Sequence, residues 1–222
     1  MYRKEPLAIG EFYHVFNKSI AGFKIFNNES EYLRIIVAIR YYQCEGHSLR
    51  LSDFLRTKDA NKHTIDEYLS DCLKNKQDKL VDIVSYCIMP THTHFILKQL
   101  KDNGISLFMN NIFNSYTKYF NIKHKRKGPL WEGRFKNVLI KTDEQLLHLT
   151  RYIHLNPVTA YLTDIPESWI YSSYKEYILE VTNRICRYEN VINIAVDQYK
   201  KFVNDMIGYQ RDLAAIKQQI LE

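Results

Sequence analysis

Apolar and polar residues partly alternate from Glu11 to Ile20, with Phe12, Tyr13, Val15 and Phe16 set among polar neighbours. That period of two predicts a first β-strand. Asn28-Glu29-Ser30-Glu31 then supplies a helix start, and Tyr32, Ile35, Ile36 and Ile39 recur at helical spacing, so a helix is expected to run to about Gln43. Arg50 to Leu80 is polar, charged and broken. It reads as an insertion, with two short helices around Leu51–Arg56 and Thr64–Lys74. Leu80 to Lys98 predicts two adjacent strands that turn near Met89-Pro90. A helix follows from Gly104 to about Lys123, with Leu107, Phe108, Ile112, Tyr116 and Tyr119 at steps of three and four. Asn137–Lys141 is a short strand candidate. Thr142-Asp143-Glu144 caps a helix expected to end near Asn156, because Pro157 comes next. From Val181 onward the pattern reads as helices of mixed charge.

The order strand, helix, strand, strand, helix, strand, helix predicts an α+β fold. The expected form is a ferredoxin-like sandwich, an antiparallel sheet with helices on one face. Residues 1–180 would form this domain, with the helical insertion at about 50–80, and 181–222 a helical C-terminal extension. The length of 222 residues suits one such domain plus an extension. No uncharged apolar run is long enough for a membrane span, and the first residues lack the apolar segment of a secretory signal. The cysteines Cys44, Cys72, Cys87 and Cys186 are scattered without C-x-x-C spacing, so reduced thiols in a cytoplasmic protein are expected.

Charge adds a direction. The chain carries a net +6, which suits a polyanionic partner without naming one. Lys118, Lys123, Lys125, Arg126, Lys127, Arg134 and Lys136 face a single acid, Glu132, so this one segment holds the whole excess.

Candidate chemistry begins at Met89-Pro90-Thr91-His92-Thr93-His94-Phe95-Ile96-Leu97. Alternate residues of a strand share a face, so His92 and His94 point one way while Thr93, Phe95 and Leu97 point the other. Two imidazoles on one face can ligate a metal, or they can simply be polar residues on a sheet. On the last helix before Pro157, Leu146, Leu149 and Ile153 form the expected buried stripe, and Tyr152 and Asn156 lie together on another flank. Such a tyrosine is available for chemistry, or is a packed aromatic with a wet hydroxyl. Tyr116 and Tyr119 are rival nucleophiles, but both fit an apolar helix face. His14 could approach the histidine pair, although a satisfied or solvent-facing histidine is the plainer expectation. His63 reads as a surface residue.

Five blocks in order carry a resemblance. They are Tyr13-His14-Val15-Phe16-Asn17; Met89-Pro90-Thr91-His92-Thr93-His94; Gly128-Pro129-Leu130-Trp131-Glu132-Gly133-Arg134-Phe135-Lys136; Arg151-Tyr152-Ile153-His154-Leu155-Asn156-Pro157-Val158; and Trp169-Ile170-Tyr171-Ser172-Ser173-Tyr174. Together they resemble the single-tyrosine transposases of the HUH endonuclease superfamily, and most of all the REP-associated tyrosine transposases. Thr91 stands where that family often has asparagine. The resemblance implies that His92, His94 and Asn156 hold a divalent metal, Mg2+ or Mn2+, and that Tyr152 is the nucleophile. It implies nicking and rejoining of single-stranded or hairpin DNA through a 5′-phosphotyrosine, by a monomer or a homodimer.

Within that picture Lys123, Lys125, Arg126, Lys127, Arg134 and Lys136 would meet phosphates, and Trp131 or Phe135 would stack on a base. The alternative for the two aromatics is burial in the core. His148 and His154 flank Tyr152 and could assist proton transfer or bind DNA, although surface roles are the plainer expectation. Two other functions stay open: a metal-dependent phosphodiesterase that uses water, and a DNA-binding relative without activity.

Overall fold

A computed structural model of the chain describes residues 6–57, 78–179, 181 and 184–221. Four strands form one antiparallel sheet: β1 (Phe12–Lys18), β2 (Val81–Met89), β3 (His92–Gln99) and β4 (Lys136–Ile140), in the order β2-β3-β1-β4. Helix α1 (Glu29–Tyr42) connects β1 towards β2, and α3 (Gly104–Lys123) joins β3 to β4. This is the ferredoxin-like connection pattern the element order predicts. Between them lies a single turn, α2 (Leu51–Phe54); the helix expected at Thr64–Lys74, and His63 with it, fall outside the described residues.

The alternation along β1 sends Tyr13 and Val15 to a buried face, where they pack with Phe95 and Leu97 of β3 under α1 and α3. The buried positions of α3 are Ile105, Phe108, Met109, Ile112, Phe113, Tyr116 and Phe120. Leu107 and Tyr119, expected in that stripe, lie at its margins, because the steps of three and four centre on Ile112 and Tyr116 and leave Leu107 44% exposed. The first residue of α3 has to be small. A Cβ on Gly104 would come within 2.3 Å of the Leu80 carbonyl oxygen.

The expectation of helices on one face is corrected by the structure. Helix α4 (Asp143–Thr159) lies on the opposite face, with a second core of Val84, Cys87, Met89, Ile96, Leu146, Ile153, Leu155 and Val158. It packs mainly on β2 and less on β3. On the β1–β4 half of that face cover is partial: Ile140 is buried in this second core and Phe12 packs on it, while Val138, paired with His14, is exposed. Thr142 caps α4 as the sequence predicts, its hydroxyl accepting from the Gln145 N–H at 3.1 Å. The helix does not stop before Pro157 but runs on to Thr159. Pro157 gives up one intrahelical bond, and its ring is buried.

The free edge of β2 is closed by a later segment. Ile88 N–H donates to Tyr171 O at 3.0 Å, and Ser173 N–H to Tyr86 O at 3.0 Å. Covering an edge this way prevents pairing with foreign strands. Short α5 (Tyr174–Ile178) follows. The expected C-terminal helices begin only at α6 (Val196–Asn204) and α7 (Ile207–Leu221); residues 184–195 are irregular. Tyr199 and Val203 of α6 are fully buried in the second core, and Ile185 and Cys186 in the first. Among the described residues no helix is long and apolar enough to cross a membrane.

Candidate active site

The two-residue turn at Pro90-Thr91 fixes where β3 begins. Ser19 N–H donates to Thr91 O, and Ile25 N–H to Pro90 O, both at 2.8 Å. Strand geometry therefore already holds at His92, and His92 and His94 share a face as alternate residues. In the register, Lys18 pairs with His92 and Phe16 with His94. Lys136 pairs with Phe16 from the other side, which brings its base onto the same face.

Helix α4 delivers Tyr152 to this face. Its ring lies edge-on to His94, with centroids 5.8 Å apart. Tyr152 is 41% exposed, off the buried stripe, as its position on the helical wheel requires. Asn156 stands one turn on, and its amide donates to Tyr152 O at 3.2 Å. The geometry thus assembles Tyr152, Asn156, His92 and His94 within one chain.

His14 joins them: it does approach the pair, and it is satisfied there and not solvent-facing. Its Nε2 lies 2.9 Å from His94 Nδ1, the two rings stack at 15°, and Tyr152 stands edge-on at 6.4 Å. Thr91 Oγ1 lies 2.9 Å from His92 Nδ1. Burial lowers His14 to a pKa of about 4. Burial, helped by the charge of Lys18, does the same to His92, to about 4. His94 is held well below its ordinary value by burial and then by His92, His14 and Lys18. All three imidazoles are therefore neutral near pH 7, the state in which a ring nitrogen can donate to a cation. Burial raises the Tyr152 phenol above its usual value, and the Asn156 side chain opposes part of that rise.

The rival tyrosines separate clearly. Tyr116 is fully buried, its hydroxyl donating to Ile25 O, and burial pushes its pKa far up. Tyr119 packs against the core from its margin, at the Lys123 ammonium.

The basic segment is split by its surroundings. Lys125, Lys127, Arg134 and Lys136 are exposed. Lys123 is paired with buried Glu31 at 3.0 Å, and Arg126 braces its own loop through Asn121 Oδ1 and Pro129 O, both at 3.1 Å. Trp131 and Phe135 are core residues. Trp131 packs on Phe113 at 4.1 Å between centroids and donates to Thr117 Oγ1 at 3.1 Å. The base-stacking alternative for them gives way to burial.

His154 is a further correction. It is fully buried, with Nδ1 2.7 Å from Tyr199 Oη and Nε2 2.8 Å from Ser173 Oγ. Sequence reasoning also passed over Lys18 and Thr91. Their signal is weak: each matters only through its neighbour on the folded strand.

Residues 47–156 match the sequence model of the family described as "Transposase IS200 like". Over that stretch, just under half of its length, the chain is similar to that family. The matched stretch takes in the histidine pair, the basic loop, Tyr152 and Asn156, and leaves β1 with His14 outside. A Haemophilus influenzae protein named as a REP-associated tyrosine transposase is 27% identical over 130 residues, which cover 54% of this chain and 73% of that one. A solved structure of a REP-associated tyrosine transposase bound to a REP hairpin superposes with a TM-score of 0.51 at 16% identity, over 88% of this chain and 98% of that one. At that identity the likeness supports the fold.

Proposed function

We propose that this IS200-like transposase nicks and rejoins single-stranded DNA with Tyr152 as nucleophile. The observation that carries this is the convergence of Tyr152 on His94, edge-on at 5.8 Å, with Asn156 one turn away. Tyr152 Oη would attack phosphorus while the bond to the 3′ oxygen breaks. The products are a 5′-phosphotyrosine and a 3′ hydroxyl, which takes up a proton. The covalent link conserves the bond energy, so a second 3′ hydroxyl can reverse the step and join strands.

The donor set fits a divalent cation. His92 and His94 offer neutral nitrogen, and Asn156 offers its side-chain oxygen. Neutral ligands leave the ion's charge uncompensated for phosphate, and mixed nitrogen and oxygen donors suit Mn2+ as well as Mg2+. When bound, the ion would draw charge from the scissile phosphate and stabilise the leaving oxygen. Lys18, beside His92, and Lys136, on the same face, would meet the DNA backbone. The hairpin carried by the related solved structure makes a hairpin with a single-stranded flank the substrate to try first.

The test is incubation with labelled hairpin and single-stranded DNA from the gene's own flanks, with Mn2+, on a denaturing gel. A protein–DNA adduct whose tryptic peptide carries Tyr152 is the expected result. Cleavage without an adduct would assign the reaction to water instead, and binding with no cleavage would leave a DNA-binding protein.

A further inference from the structure

We infer that His14 and Thr91 are positioning residues that set the tautomers of the histidine pair, each by accepting the Nδ1 proton of one ring. That the freed nitrogens serve a cation, and that His92 and His94 are the donors in these bonds, rests on the function proposed above; the contacts themselves do not.

A neutral imidazole has one N–H and one lone pair, so fixing a proton on Nδ1 turns Nε2 into the donor atom. His94 Nδ1 lies 2.9 Å from His14 Nε2. Only one proton fits between two ring nitrogens at that distance. If His94 supplies it, His94 Nε2 is left as a lone pair and His14 carries its own proton on Nδ1. If His14 supplies it, His94 Nε2 becomes an N–H and cannot ligate.

His92 Nδ1 has a partner of the same kind in Thr91 Oγ1, at 2.9 Å. A hydroxyl can accept that proton while donating elsewhere. Both Nδ1 atoms are therefore engaged, which leaves both Nε2 atoms free to serve as ligands. Histidines that bind metals use an outer hydrogen bond in this way, and its loss commonly costs 10- to 100-fold in affinity.

His14 itself is placed as a partner and not as a third ligand. Its Nε2 is committed to His94, and among the described residues no three His, Cys, Asp or Glu side chains converge as a metal-holding group. Its position is diagonal, since the strand register pairs His14 with Ile96 and His94 with Phe16. Diagonal neighbours on one sheet face lie within reach of long or aromatic side chains.

Two measurements test the inference. Long-range 15N–1H correlation on metal-free protein near neutral pH reads the tautomers directly, with the histidines assigned by substitution. His14, His92 and His94 should all carry the proton on Nδ1. Calorimetry with Mn2+ should then show affinity falling 10- to 100-fold in His14→Phe, which keeps a ring, and recovering most of it in His14→Gln, whose side-chain carbonyl can accept. Thr91→Val should weaken affinity about 10-fold, and Thr91→Ser should not. An Nε2–H tautomer at His94 in the wild type overturns the inference. So does unchanged Mn2+ affinity in His14→Phe with an unchanged His94 tautomer. Should the wild type take up no Mn2+, the cation reading fails, and the tautomers alone still decide the roles of His14 and Thr91.

Discussion

In the proposed reaction Tyr152 is the side chain on which the chemistry turns, and removing one oxygen isolates it. Tyr152 is partly exposed, and its ring meets His94 and His14 edge-on. Tyr152→Phe should therefore change stability by no more than about 1 kcal/mol. The DNA adduct should disappear while Mn2+ and DNA binding persist; an adduct retained on another tyrosine would show the assignment to be wrong. A different side chain governs behaviour in acid. Burial would raise the Glu31 carboxyl, but the Asn27 N–H at 2.7 Å, His124 and Lys123 outweigh it and bring the pKa down to about 2. Because the folded pKa lies below the unfolded one, this contribution is complete above about pH 4.5 and is lost as pH falls towards 2. Its ceiling is about 3 kcal/mol, taken at 1.36 kcal/mol per unit. Glu31→Gln should flatten the decline of urea stability between pH 5 and pH 2; an equally steep decline would assign it to other carboxylates. In α1, then, the acid at the third position, and not Asn28, ties down the helix start.

Elements were more legible in the sequence than their partners. Period-two and period-3.6 patterns located the four described strands and helices α1, α3 and α4 to within a few residues; all but β4, where Ile140 alone is buried, have a continuous buried stripe. A stripe does not say which sheet face it will cover, so α4 was expected beside α1 and α3 and lies opposite them. That His92 and His94 share a face, and that Tyr152 lies off its helix's buried stripe, was readable from local spacing. His14 was not, since its contact with His94 depends on a cross-strand register that no local pattern encodes. His154 was unreadable for a related reason. Its partners Tyr199 and Ser173 lie 45 and 19 residues away, and it becomes a core residue only once α6 docks. That docking has a measurable consequence. Tyr199 is buried, contacts His154, and donates to Thr150 Oγ1 at 3.0 Å. Tyr199→Phe leaves buried partners unsatisfied and should cost about 1–3 kcal/mol. Tyr199→Ala adds a cavity and should cost roughly 3–5 kcal/mol. Urea unfolding decides between this and a dispensable C-terminal extension, for which both variants would match the wild type.

At the scale of the molecule, the question is whether one copy is a complete enzyme. The tyrosine that faces His94 belongs to the same chain, and the construction of α4 argues that it stays there. Only Lys141 and Thr142 separate β4 from α4, too short a connection to carry the helix to another copy. Beyond its other end, the chain returns to the β2 edge through Tyr171 and Ser173. Between these anchors, Ile153, Leu155 and Val158 are buried and His154 is bonded on both ring nitrogens. Exchanging α4 between copies would expose that core and break the network, so each site should work in cis. Complementation tests this directly. In the proposed mechanism His92→Ala lacks a ligand and Tyr152→Phe lacks the nucleophile, so each alone should form no adduct. Mixed together, and given time to exchange subunits, they should still form none. If the mixture regains adduct, with the DNA on the Tyr152 of the His92→Ala chain, that tyrosine is acting on the histidine pair of another copy, and the site is shared.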